Sequence, residues 1–453
     1  MSVIWLHPGG VDIPEGLRAA VARGAVTPLA LTDLSEAALM RHRGLVTGML
    51  FDQDAAMALR PALERFLDAG GRWFFNGHVM RPLLDGLMPY QAMTEPKRSD
   101  FALIARHPHP VFAGIDVASL ETNRGVAGFY GRGCNPPPPG AVVINTLGPR
   151  DVAVDWVWHR PGGGAFFSHA GNDLAQIATM HGIGAQIWQN IVAWAAGGAC
   201  ISGDEALVGA VSCDGRWLLH DTPGIDASRA PGAHPRLIAT NAGTYYQIEA
   251  LEGARYRAIF DDVVAPEALD RVLTPDDTLL VSCRTPPTRM IAQRERVARH
   301  LEAGGTVIAM GESRSDLWLP HVAFTPVETN FWWWLTPGAD LGLRIAAPEH
   351  PLMSGMADRD VTWHLHGWFV PPEGAEVLVT DDEGRAIAYD DRVSTPGRMI
   401  VTSLDPMYHH GSRFMPATTR FLDRFLPNLR NWLLSQEDPL VNQPSSRAGA
   451  FPS

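Results

Sequence analysis

One pattern occurs twice in this chain and constrains it more than any other feature. Leu63–Gly77 reads LERFLDAGGRWFFNG, and Val297–Gly311 reads VARHLEAGGTVIAMG, at a constant offset of 234 residues. In the first copy Leu59, Leu63, Phe66 and Leu67 recur at helical spacing, and Gly70 stands where a left-handed C-cap is wanted. Arg72–Phe75 reads as a buried strand, and Asn76-Gly77-His78 as a sharp turn. Helix, glycine stop, buried strand and elbow form the unit of an α/β protein. The carboxyl end of such a strand is where these proteins place chemistry.

The repeat extends well beyond that unit. Leu237–Thr240 followed by Gly243 matches Val3–Leu6 followed by Gly9, and Thr278–Arg284 (TLLVSCR) matches Gly44–Leu50 (GLVTGML), both at 234. His350-Pro351 with Gly355 matches His109-Pro110 with Gly114 at 241, so about seven residues entered between. Met399–Ser403 corresponds to the strand Ala165–Ser168, and Thr418–Leu434 to the closing helix of the first half. Within that half, strands alternate with helices over Pro14–Arg23, from the Ser35 cap to about Arg41, over Asp54–Ala69 and over Ala175–Ala196. Such alternation predicts a mostly parallel sheet with helices on both faces. The expected organisation is a first domain over 1–198, an irregular connector over 199–235, a second domain over 236–436 and a polar tail over 437–453. Pro223, Pro231 and Pro235 punctuate the connector.

At 453 residues the chain exceeds one ordinary core. A formal net charge of −12 argues against nucleic acid or an anionic membrane surface as the main partner. Cys134, Cys200, Cys213 and Cys283 have no framework or metal-ribbon spacing and read as reduced thiols. The first residues carry no signal-peptide pattern, and no apolar run approaches the roughly 20 residues needed to span a bilayer. A cytoplasmic, non-membrane protein is expected.

Each half resembles the class I glutamine amidotransferase-like fold, and within it the trehalose-utilisation (ThuA-like) branch. The residues that carry the resemblance are the two helix-Gly-Gly-strand-elbow units and the two His-Pro-x-x-x-Gly segments. A third element is the late strand Phe166-Phe167-Ser168-His169, echoed by Val401-Thr402-Ser403-Leu404. The resemblance implies two tandem flavodoxin-like three-layer domains. The family's enzymes place a cysteine at the elbow and a histidine after the late strand. Here His78 and Glu312 follow the elbow glycines, Leu404 replaces His169 in the second half, and Cys283 aligns with Met49 on an earlier strand. Glutamine hydrolysis by the Cys-His route is therefore not expected.

Three candidate sites remain. His7, Asn76, His78, His169, Asn172 and Asp173 belong at the carboxyl ends of first-half strands, with His169 as a general base oriented by Asp173 and His78 polarising a substrate. The plainer alternative is that His78 and His169 cap turns. His364 and His366, two apart on a strand, could share a metal with His409-His410 nearby, although no carboxylate partner stands out. No cofactor and no resident metal is expected. Trp332, Trp333 and Trp334 could stack on a sugar or bury a partner. The favoured function is a catalytically degenerate binding or assembly component for a carbohydrate-like small molecule or a protein partner, with self-association compatible. The rival is a hydrolase or isomerase acting on a sugar-like substrate through His169 and Asp173.

Overall fold

The computed structural model describes residues 2–8, 12–198 and 235–435. The connector expected over 199–235 (except Pro235), the tail over 437–453, and Cys200 and Cys213 lie outside the described residues. Two units are distinguished. The first holds Met1–Thr222 with Ala242–Glu249 and Gly411–Phe414, and the second holds the remainder. Two short segments of the second half therefore belong with the first unit. Gln53 N donates to the Gly243 carbonyl at 2.8 Å, and Phe129 stacks on Phe414 at 5.3 Å between ring centroids.

Unit 1 is an eight-stranded sheet. Its strands are β1 (Val3–His7), β2 (Val26–Ala30), β3 (Gly44–Thr47), β4 (Arg72–Asn76), β5 (Leu103–Ala105), β6 (Val142–Leu147), β7 (Val152–His159) and β8 (Ala165–His169). They lie in the order β2-β1-β3-β4-β8-β7-β6-β5. The run from β2 to β8 is parallel, and β7, β6 and β5 continue it antiparallel. Strand alternation then makes layers. Val3, Trp5, Phe74 and Phe167 enter one core with Ile187 and Ile191, and Ile4, Leu6, Phe75 and Phe166 enter another with Leu63 and Phe66.

The helices of this unit are α1 (Glu15–Ala22), α2 (Glu36–Met40), α3 (Gln53–Met57), α4 (Arg60–Asp68), α5 (Leu174–Met180) and α6 (Gly184–Ala195). Ser35 caps α2 by accepting the Ala38 N–H. The long helix expected from Asp54 to Ala69 is two, because Pro61 in the first turn of α4 has no N–H to continue α3 and its ring crowds the carbonyl four residues back. The helix expected from Ala175 to Ala196 is likewise two, broken where Gly182 turns left-handed at φ 75°. Gly77, at φ 113°, could not be replaced without strain: a Cβ there would sit 3.0 Å from Met49 Cα.

Unit 2 is a ten-stranded sheet. It comprises β9 (Leu237–Thr240), β10 (Asp262–Val264), β11 (Thr278–Val281), β12 (Thr306–Ala309), β13 (Ala323–Pro326), β14 (Arg344–Ile345), β15 (Gly367–Val370), β16 (Glu376–Thr380), β17 (Ala386–Asp391) and β18 (Arg398–Thr402). The order β10-β9-β11-β12-β18-β17-β15-β13 reproduces that of unit 1, with β16 and β14 added beside β17. Its helices include α8 (Leu269–Val272), α9 (Pro287–Ile291), α10 (Arg294–Glu302) and α12 (Pro416–Ser435). Two more helices, α7 (Tyr245–Glu252) and α11 (Pro406–Ser412), each have residues assigned to both units. Val297 and Leu301 of α10 pack on Leu279, Val307 and Val401.

The sequence correspondence of the late strands needs an adjustment. Ala165 N and Arg398 N donate to the carbonyls of Gly71 and Gly305, an offset of 233 (398 minus 165). Further along, Gly77 N and Gly311 N donate to the carbonyls of His169 and Leu404, an offset of 235 (404 minus 169). Two extra residues are absorbed at the end of β18, where the Leu404 N–H turns back to Thr402 Oγ1.

Candidate functional site

In unit 1 His169, Asn172 and Asn76 meet, but as stitching, while Asp173, His78 and His7 make other contacts. His169 and Asp155 face each other across β8 and β7, and His169 Nδ1 lies 2.5 Å from Asp155 Oδ1. Its Nε2 donates to the Asn172 carbonyl at 2.8 Å. Asp155 also accepts from Tyr130 at 2.5 Å and from Asn145 at 2.7 Å, and the whole network is shut off from solvent. The carboxylate that orients His169 is thus Asp155, not Asp173. Strand register brings Asp155 opposite the ring, whereas Asp173 turns away to cap α5 through the N–H groups of Ala175 and Gln176. Burial raises the Asp173 carboxyl above its usual range against those two bonds. Asn76 joins the same seam, accepting from Leu174 N at 2.8 Å and donating to the Asn172 carbonyl at 3.3 Å.

His78 lies flat on Tyr90, ring centroids 3.5 Å apart, and burial, helped by Arg413 and His169, holds it well below the ordinary imidazole range. His7, at the end of β1, sets its ring 5.3 Å from that of Trp5. His109 and His350 behave alike. Each caps a short 3₁₀ turn through Nδ1, which accepts the N–H of Val111 or Leu352 at 3.3 Å. The repeated His-Pro motif is a cap.

The ionisable cluster that sequence spacing only half revealed is in unit 2. Arg284 follows β11, Glu312 follows β12, and Asp405 follows β18, so three neighbouring parallel strands present charge at their carboxyl ends. His364 and His366 precede β15, and His409 lies in α11. Asp405 is the hub. Its Oδ2 accepts from Arg284 Nη2 at 2.8 Å and Nε at 3.0 Å, and its Oδ1 accepts from Trp363 Nε1 at 3.3 Å. His366 Nε2 is 3.2 Å and His409 Nε2 3.4 Å from Oδ2, and His364 Nε2 is 3.3 Å from Oδ1. Glu312 completes the set, 2.9 Å from His366 Nδ1 and 2.8 Å from Arg284.

Burial alone would raise both carboxyls. For Asp405 the charges of His409, His366 and Arg284 outweigh it and hold the group well below the usual range, and Glu312 is lowered by His366 and Arg284. Burial would lower His366, but Asp405 and Glu312 raise it to about 9. His409 goes the other way: burial dominates and lowers it to about 4. At neutral pH two cations therefore balance two anions, beside a neutral imidazole. Cys283, next to Arg284, is buried, and burial with the Asp405 charge pushes its thiol up, so it is an inert thiol.

The cluster has an aromatic edge. Phe331, 42% exposed, points edge-on to His364 at 4.8 Å and lies 6.3 Å from His366. Trp333 Nε1 donates to the Trp363 carbonyl, Trp334 is 44% exposed, and the Asn330 side chain holds the Trp332 N–H. Two groups have metal-binding proximity among the described residues, His364/His366/Asp405 and His350/Glu376/Asp390. Both carboxylates also carry arginine, Asp405 through Arg284 and Asp390 through Arg398 and Arg392; the second group has one histidine and the exposed Glu376, the first two buried histidines. Asp405 and Arg284 escaped the sequence reading, and Glu312 entered it only as the elbow residue. Their only signal was position: each directly follows a buried strand.

No family model matches the sequence, and no curated protein matches it. Among solved structures the chain is similar to the exo-beta-1,4-mannosidase Op5Man5 from Opitutaceae bacterium strain TAV5, at 13% identity with a TM-score of 0.26. The similarity covers 44% of this chain and 35% of the mannosidase.

Proposed function

We propose that this chain is a catalytically degenerate, tandem amidotransferase-like protein of the ThuA-like type, with two flavodoxin-like three-layer domains. Unit 2 binds a carbohydrate-like small molecule at the Asp405 cluster, and unit 1 is a scaffold. The observation that carries this reading is the pairing of a charge-balanced, hydrogen-bonding floor with the exposed Phe331–Trp334 edge. Polyhydroxylated ligands need both a flat apolar face to stack on and converging donors and acceptors. The elbow positions support the loss of amidotransferase chemistry: they hold His78 and Glu312, and the buried Cys283 belongs to an earlier strand.

Fluorescence titration with neutral sugars and sugar acids tests the reading. Phe331→Ala and Trp334→Ala should each weaken the bound sugar about three- to tenfold. Absence of binding by the whole panel, or binding that both variants leave intact, refutes it.

A second reading, turnover of a sugar-like substrate as hydrolase or isomerase, is favoured by one specific feature. His366 is raised to about 9 and His409 lowered to about 4 around one carboxylate, the separation that an acid and a base require. This moves the chemistry first considered for His169 and Asp173 to unit 2. Product formation followed by NMR, and its loss in His409→Gln, would favour it over binding alone.

A further inference from the structure

We infer that His364, His366, His409 and Asp405 form a binding site for a divalent transition-metal ion of the zinc class. The inference rests on reading the unit 2 cluster as a ligand site, but not on the ligand being a carbohydrate.

Donor spacing is the first argument. Four ligands at zinc–nitrogen and zinc–oxygen bond lengths of about 2.1 Å stand roughly 3.3 Å from one another along the edges of a tetrahedron. His364 Nε2 lies 3.0 Å from His409 Nε2 and 3.3 Å from Asp405 Oδ1, while His409 Nε2 and His366 Nε2 lie 3.4 and 3.2 Å from the other oxygen, Oδ2. One atom each from His364, His366 and Asp405 lies within 4.8 Å of the other two.

The second argument is an orphan. His366 is 95% buried, yet its Nε2 makes no hydrogen bond despite standing 3.2 Å from a carboxylate oxygen. Close approach to a carboxylate without hydrogen-bond alignment is what two ligands of a shared ion look like. The third argument is the outer shell. Glu312 and Thr329 both lie 2.9 Å from His366 Nδ1, fixing the tautomer that leaves Nε2 to ligate, and Arg284 anchors the Asp405 carboxylate through Oδ2. Three imidazoles with one carboxylate suit zinc, cobalt or nickel rather than magnesium or calcium.

The test uses the full chain, stripped with chelator and dialysed against Zn²⁺ or Co²⁺ without any sugar. About one metal per chain is expected by elemental analysis, and Co²⁺ should give the intense visible bands of a four-coordinate nitrogen-oxygen site. His364→Gln and His409→Gln should each lower affinity about tenfold or more, Glu312→Gln about ten- to a hundredfold, and His350→Gln not at all. Near-UV circular dichroism confirms that each variant is folded. Substoichiometric metal in the wild type, or retention of full affinity in both histidine variants, overturns the inference. If sugar binding at the aromatic edge survives while metal binding fails, the metal site falls and the binding function stands. If metal binds and no sugar does, the metal site stands and the carbohydrate function falls.

Discussion

Acid should weaken unit 1 through a single buried histidine. His109 is 5% exposed, with its ring 4.9 Å from Phe167 and 5.7 Å from Trp194. Burial, with His159 and Arg72 adding to it, lowers the ring to about 3. The folded protein therefore keeps His109 neutral where the unfolded chain, titrating at about 6.5, takes up a proton. The sign follows directly. Above about pH 6.5 both states are neutral and nothing changes; below it the unfolded state binds more protons, so stability falls with pH until the folded ring titrates near 3. Each pH unit in that window costs about 1.4 kcal/mol, which comes to about 2 kcal/mol by pH 5. His109→Asn keeps a side-chain acceptor for Val111 N–H but cannot titrate. Hydrogen exchange of the β4 and β8 amides, corrected for intrinsic rates, reads the opening energy of unit 1. From about pH 7.5 to about pH 5 the wild type should lose about 2 kcal/mol more protection than the variant. The buried His78 is common to both and cancels. Equal acid sensitivity of the two proteins would refute the reasoning, since the ring would then be taking its proton inside the fold.

Three further outcomes are expected. Asp390→Asn should destabilise unit 2 by about 2–4 kcal/mol in urea melts at neutral pH, because it leaves the half-buried Arg398 guanidinium against an amide. The hydrogen bond with His350 and the ion pairs with Arg398 and Arg392 hold the Asp390 carboxyl well below its ordinary range, against burial. Its contribution is therefore present above about pH 4 and lost only in stronger acid. Gly77→Ala should cost more than Gly304→Ala. Both glycines are left-handed, but only at Gly77 does a Cβ approach backbone, whereas Gly304 faces open space and should lose about 1–2 kcal/mol by thermal melting. Tyr130→Phe should cost about 1.5–3 kcal/mol by the same measurement, since it removes a hydrogen bond to the buried Asp155.

How much was legible in the sequence depended on how local the cause was. The glycine stops, the Ser35 cap, the elbow at Gly77 and the alternation that builds two α/β units all arise from residues within a turn of one another. Each was readable. Helix breaks were misjudged where one proline or glycine overrode a good apolar period, as at Pro61 and Gly182. The partner of His169 was assigned to Asp173 by nearness in sequence, while antiparallel register delivers Asp155 from the neighbouring strand. The unit 2 cluster was hardest. Its members come from five separate segments between Arg284 and His409, and only the His364–His366 spacing carries a periodic signal. The balance of two cations against two anions exists only after folding.

Backbone strain explains why one copy carries this cluster and the other does not. Arg284 and Glu312 sit in the left-handed region, at φ 56° and 57°, and the 234-residue offset maps them to Leu50 and His78 in unit 1, which stay out of that region. A non-glycine residue there costs about 1–2 kcal/mol, a cost a mere structural turn would shed by mutation to glycine. Glycine at either point would also remove a charge that contacts Asp405 or His366. The two strained residues are those whose side chains close the square of Arg284, Glu312, His366 and Asp405. Six other non-glycine residues among those described are also left-handed, so what sets these two apart is that their strain aims charge at the carboxyl edge of the sheet. Relieving it tests this directly: Arg284→Gly removes the strain but also the guanidinium paired with the buried Asp405, so it should lower thermal stability by about 2–3 kcal/mol and abolish ligand binding in unit 2. A variant that binds normally would mean that Arg284 is held left-handed for the fold alone.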